Sequence, residues 1–115
     1  MNEWGWAVVV AIVAAFLIFR RLGQIGRDDA HRLVKEGATL IDVRSPGEFS
    51  SGHIDGALNI PLGSLGSELG KLGPNKDKPV IVYCASGARS AMARSQLKSR
   101  GFTQVFNLGS MGRWY

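Results

Sequence analysis

The 115-residue sequence contains one cysteine, two histidines and four prolines. With Cys84 alone, the chain can form no internal disulfide and holds no CxxC metal site, and His31 and His53 could not complete a zinc shell. No low-complexity run or glycine period is present, which excludes a collagenous or disordered chain. Acidic residues are also scarce: 9 Asp+Glu face 14 Lys+Arg, for a formal net charge of +5. Arg89, Arg94, Lys98 and Arg100 fall on one predicted helix and read as a solvated face. No aromatic residues interleave with them, so a nucleic-acid partner is excluded. The length allows one domain and excludes a two-domain enzyme.

Apolar residues are unevenly spread. Residues 1–27 hold 18 of the 52, and residues 28–115 have an ordinary globular composition. Trp4 to Phe19 is a stretch of sixteen uncharged residues, apolar all round, which as a helix would measure roughly 24 Å. That is short of a ~30 Å hydrocarbon core but within reach if flanking residues snorkel. A cleaved signal peptide fits less well, because the segment before the apolar run carries Glu3 and no basic residue, and no small-residue cleavage site follows. The expectation is one transmembrane helix over residues 1–21, touching the membrane through residues 4–19, then a linker at 22–27 and a domain at 28–115. Arg20, Arg21 and Arg27 follow the helix and no basic residue precedes it. The N-terminus is therefore expected outside and the domain in the cytoplasm.

Strand and helix signals alternate through the domain. Asp28 reads as the N-cap of a helix running to about Glu36, stopped by Gly37. Thr39 to Val43 is a β-rich run, and Ser45-Pro46-Gly47-Glu48 is a capping box with proline at its first helical position. Ala57 to Ile60 predicts a strand. Leu62, Leu65, Leu69 and Leu72 recur at helical spacing, weakened toward 3₁₀ geometry by Gly63, Gly66 and Gly70. Val80 to Cys84 is a continuous apolar run, as in a strand buried on both faces of a parallel sheet. Ser90 to Arg100 reads as a helix and Gln104 to Leu108 as a further strand. The fold class is therefore an α/β sandwich with a mainly parallel central sheet.

Ligands of such sheets bind where strands lead into helices, and one of these turns delivers a nucleophile. Cys84 ends the most buried strand, and Ala85, Ser86, Gly87, Ala88, Arg89 and Ser90 follow. Their backbone N–H groups can curl into a nest that stabilises an anionic sulfur. Gly87 permits close approach, and Arg89 adds a cation with no acidic residue in its own helical turn. Asp42 and Arg44, with Glu48 nearby, read as a structural ion pair, His53 as a turn residue and Trp114 as packing.

Cys-x-x-Gly-x-Arg-Ser after an apolar strand resembles the active-site loop of the rhodaneses. The resemblance extends to Leu40-Ile41-Asp42-Val43-Arg44, Glu48-Phe49, Gly52 to Pro61, Gly101-Phe102, Val105, Asn107-Leu108-Gly109 and Trp114. It implies a single rhodanese domain over residues 28–115 and transfer of sulfur through a Cys84 persulfide. The donor would be thiosulfate or another sulfane, and the acceptor a thiol, cyanide or a protein. Ala85 to Ser90 would bind substrate, without metal or organic cofactor. A sulfur relay or docking module for a membrane partner is the alternative. A phosphatase or arsenate reductase fits less well, since Cys84 and Arg89 enclose four residues where related phosphatases have five. The loop also departs from two-domain rhodaneses, because Ala85 and Ser86 carry no charge directly after the cysteine.

Overall fold

A computed structural model describes residues 3–115. Its centre is a four-stranded, wholly parallel sheet in the order β2-β1-β3-β4. The strands are β1 (Thr39–Asp42), β2 (Leu58–Asn59), β3 (Val80–Cys84) and β4 (Val105–Ser110). All five residues of β3 are buried, as its unbroken apolar run requires. Side chains alternate across a strand. Val80, Val82 and Cys84 accordingly join one core with Ile41, Ala93 and Leu97, while Ile81 and Tyr83 join the other with Ala30, Ile54 and Leu108.

The helices are α1 (Gly5–Arg21), α2 (Arg27–Lys35), α3 (Pro46–Ser50) and α4 (Ala88–Ser99), with α4 packed in one core and α2 in the other. Glycine decides the segment at 62–72, which forms two short 3₁₀ turns, Leu62–Ser64 and Leu69–Leu72, rather than one helix. The Ser45 box is complete: its hydroxyl accepts from the Glu48 N–H, and a Glu48 carboxylate oxygen accepts from the Ser45 N–H. Asp28 is not a cap. Gly26 occupies that position without a side-chain bond, leaving Asp28 and Asp29 to favour the first turn through their charge.

The expected transmembrane span is not supported. No helix among the described residues is long and apolar enough to cross a membrane. With 17 residues, α1 measures about 25 Å and ends in Arg20 and Arg21. It buries none of its residues against the rest of the chain, and Val8, Ile12 and Ile18 stand exposed.

The segment after α1 is joined to the sheet. Asn107 N–H donates to the Gly23 carbonyl at 2.9 Å, and Ile25 N–H donates to the Asn107 carbonyl at 3.0 Å. A parallel bridge between Gln24 and Asn107 results, which covers part of the outer edge of β4. Beyond it the β3–β4 register slips between Val82 and Tyr83, where Gly109 takes φ +94°.

Candidate active site

The carboxyl end of β3 and the amino end of α4 enclose the Cys84 sulfur. Its Sγ accepts the Gly87 N–H at 2.9 Å and the Ser90 N–H at 3.4 Å. The Ser90 hydroxyl lies 3.4 Å from Sγ and donates to the Gly87 carbonyl at 3.1 Å. Cys84 and Ser90 are both fully buried. Gly87 caps α4 at φ +98°, a left-handed conformation that turns its N–H onto the sulfur and its carbonyl onto the Ala91 N–H.

Not every predicted loop residue reaches the sulfur. Among the described residues, Ala85, Ser86, Ala88 and Arg89 donate no hydrogen bond to Sγ. Ala85 is exposed and Ala88 half-buried, whereas the Ser86 carbonyl faces α1 and accepts the Arg20 Nη2 at 2.8 Å.

Arg89 has a partner that its own helix did not reveal. Its Nη1 and Nη2 donate to the two Glu48 carboxylate oxygens at 2.7 and 3.0 Å, a bidentate pair across 41 positions. The Arg89 hydrogen bonds, with those from the Ser45 backbone, lower the Glu48 carboxyl to about 2. Hydrogen bonding to Glu48 raises the Arg89 guanidinium in turn.

The expected ion pair of Asp42 and Arg44 is present, and Glu48 stands apart from it in its own pair with Arg89. Arg44 binds Asp42 alone, with Nη2 at 2.7 Å from Oδ2, in a nearly dry setting. A second donation from the same Nη2 reaches the Gly52 carbonyl at 2.7 Å, so Arg44 braces the turn after α3. Hydrogen bonding to Asp42 raises the guanidinium further. Below it lies Tyr83, whose hydroxyl accepts the Ile54 N–H at 3.1 Å and whose phenol burial pushes up.

His53 stacks on Phe49 and bonds its carbonyl at 2.8 Å, as a turn residue would. Trp114 packs on His31 with ring centroids 3.7 Å apart. Sequence reasoning missed two contacts of the loop, Glu48 and Arg20. Glu48 reads as a helix cap near the Asp42–Arg44 pair, and Arg20 lies in the segment read as an anchor.

A parallel α/β domain that holds a cysteine where its central strand meets a helix is the arrangement that the rhodanese resemblance implies. The rhodanese-like domain matches residues 27–115, and the chain belongs to that family. It is 36% identical over 109 residues to the uncharacterized protein YqhL of Bacillus subtilis, covering 94% of this chain and 85% of that one. Thiosulfate sulfurtransferase PspE of Escherichia coli is 38% identical over 71 residues, covering 62% of this chain and 68% of PspE. Among solved structures, the polysulfide-sulfur transferase homodimer of Wolinella succinogenes superposes with a TM-score of 0.76 at 30% identity. That match covers 98% of this chain and 88% of the Wolinella chain.

Proposed function

We propose that this protein is a sulfurtransferase that carries a sulfane sulfur on Cys84. The observation behind this reading is the cradle: two backbone N–H groups point at a buried sulfur from the start of α4. Those dipoles hold negative charge on the sulfur before and after transfer, so no separate general base is required. The relatives named as sulfur transferases, with thiosulfate and polysulfide in their names, support the donor class.

Transfer runs in two steps. The Cys84 thiolate attacks the outer sulfur of the donor, and the donor S–S bond breaks with its electron pair leaving on the departing group. A thiol, cyanide or a protein acceptor then takes the outer sulfur from the persulfide and returns the thiolate. Incubation with thiosulfate followed by mass spectrometry of the intact chain should show one added sulfur. Cys84→Ser should abolish both that adduct and transfer to cyanide while preserving the fold. Retention of most activity by that variant would refute the reading.

The exposed apolar surface of α1 supports attachment to a membrane surface, and Arg20, Arg21 and Arg27 beside it suit the anionic cytoplasmic face, with residues 22–115 on that side. An impermeant thiol reagent applied outside sealed cells should leave Cys84 unlabelled. Labelling there would reverse the orientation.

A further inference from the structure

Beside the cysteine loop lies a cavity of about 250 Å³, and its walls include Arg20, Arg21, Arg113, Gln24, Ser86 and Gly87. Three guanidinium groups converge there and no carboxylate lines it. None of the three is in an ion pair among the described residues, whereas Arg27, Arg32, Arg44 and Arg89 are all paired. Like charges gathered around one small space repel each other unless an anion lies between them.

Two of the three are held in place by neutral groups. Arg20 Nη2 donates to the Ser86 carbonyl at 2.8 Å. Arg113 donates from Nε to the Leu108 carbonyl at 2.7 Å and from Nη2 to the Ile25 carbonyl at 3.2 Å. Each guanidinium has five N–H donors, so both keep donors for a further acceptor. The Arg21 side chain makes no hydrogen bond or ion pair among the described residues.

The cavity adjoins the nucleophile through one residue. Gly87 lines it and also donates its N–H to Sγ at 2.9 Å. A Cβ on Gly87 would stand 3.7 Å from Arg20 Nη2, which puts that cation directly against the loop. The loop itself has no free cation to offer an anionic donor, because Ala85 and Ser86 are uncharged and Arg89 is occupied by Glu48.

We infer that this cavity binds the oxyanion end of the sulfur donor, a small divalent sulfur oxyanion of the thiosulfate and sulfite type. The inference rests on the sulfurtransferase reading and assigns its donor site to residues outside the cysteine loop. In the transfer, the Cys84 thiolate forms a bond to the outer sulfur of thiosulfate. The S–S bond breaks, and sulfite leaves with the electron pair. Three negative charges enter, one on the thiolate and two on thiosulfate. Three also leave, one on the persulfide and two on sulfite, so the step needs no oxidant or reductant. Arg20, Arg21 and Arg113 hold the two charges that remain on the sulfonate oxygens throughout.

The test uses the full chain in detergent. In a Cys84→Ser background, which cannot turn over, sulfite is titrated calorimetrically at fixed ionic strength. Arg20→Gln and Arg21→Gln should each weaken sulfite binding by about tenfold, the loss of one charge-assisted contact. Arg20→Lys should recover part of that loss. With Cys84 present, the same Gln substitutions should raise KM for thiosulfate by more than KM for an alkyl persulfide, which carries one charge and no sulfonate. Arg21→Gln is the cleaner variant, because it removes no bond that the fold uses. Sulfite binding unaffected by either substitution, or equal KM changes for both donors, would overturn the assignment. If vesicles of phosphatidylglycerol displace sulfite where phosphatidylcholine does not, the cavity belongs to a lipid phosphate and the inference also falls. Absence of any Cys84 persulfide would refute the sulfurtransferase reading instead, and the sulfite titration reports on the cavity independently.

Discussion

Gly87→Ala tests the cradle at its tightest point. An added Cβ would meet Gly109 Cα at 3.5 Å and Arg20 Nη2 at 3.7 Å, both ordinary contact distances, so space does not forbid it. The backbone does: φ is +98°, and an L-residue in left-handed geometry loses about 1–2 kcal/mol. For a domain of this size each kcal/mol lowers Tm by about 4 °C, so the expected fall is about 4–8 °C by circular dichroism. Relief of that strain would rotate the Gly87 N–H away from Sγ. Loss of a hydrogen bond to a charged group, worth about 1.5–3 kcal/mol, slows the step by about 10- to 100-fold. Single-turnover persulfide formation from thiosulfate, followed by quenched mass spectrometry, measures it. Gly87→Asn, better tolerated at positive φ, should fall between wild type and alanine in both readouts. A normal Tm together with a normal rate for Gly87→Ala would refute the argument. A lowered Tm with a normal rate would show that the sulfur does not depend on this N–H.

Two further outcomes are expected. Arg44→Ala should cost about 3–5 kcal/mol in urea unfolding, because it leaves fully buried Asp42 without its partner and frees the Gly52 carbonyl; a loss under 1 kcal/mol would show that the pair is dispensable. The Glu48 carboxyl is depressed to about 2 from an ordinary 4.5, so what its pairing with Arg89 contributes to stability is fully present above about pH 4.5 and is lost as pH falls through about 2. Carbon-detected titration of Glu48 should therefore show no protonation between pH 4 and 8, and a midpoint near 4.5 would mean that the pair is open in solution.

The elements that carry the site were legible because their signals are local. Val80 to Cys84 needed only its apolar run, and Ser45 to Glu48 only the spacing of its caps. Element ends moved by one or two residues where caps are backbone-made, as at Gly26 and Gly87. Contacts between distant segments were not legible. Glu48 and Arg89 meet across 41 positions, and Arg20 meets Ser86 across 66. Nothing in the spacing of either pair announces it, since parallel topology brings them together only after the sheet forms. The N-terminal segment misled for a different reason. Its composition is that of a spanning helix, but its helical length stops at Arg21.

The stitching of Gly23 and Ile25 to Asn107 sets how α1 leaves the domain. A free six-residue linker would let its ends wander over about 13 Å and the domain tumble beneath its attachment point. Here the chain passes from helix to sheet edge within two residues, and Arg20 touches the cysteine loop just before the join. The helix acts as a bracket with a set heading. Whatever surface α1 engages therefore fixes the bearing of the Cys84 loop toward it, and a donor or acceptor arriving along that surface meets the loop at one constant height and angle.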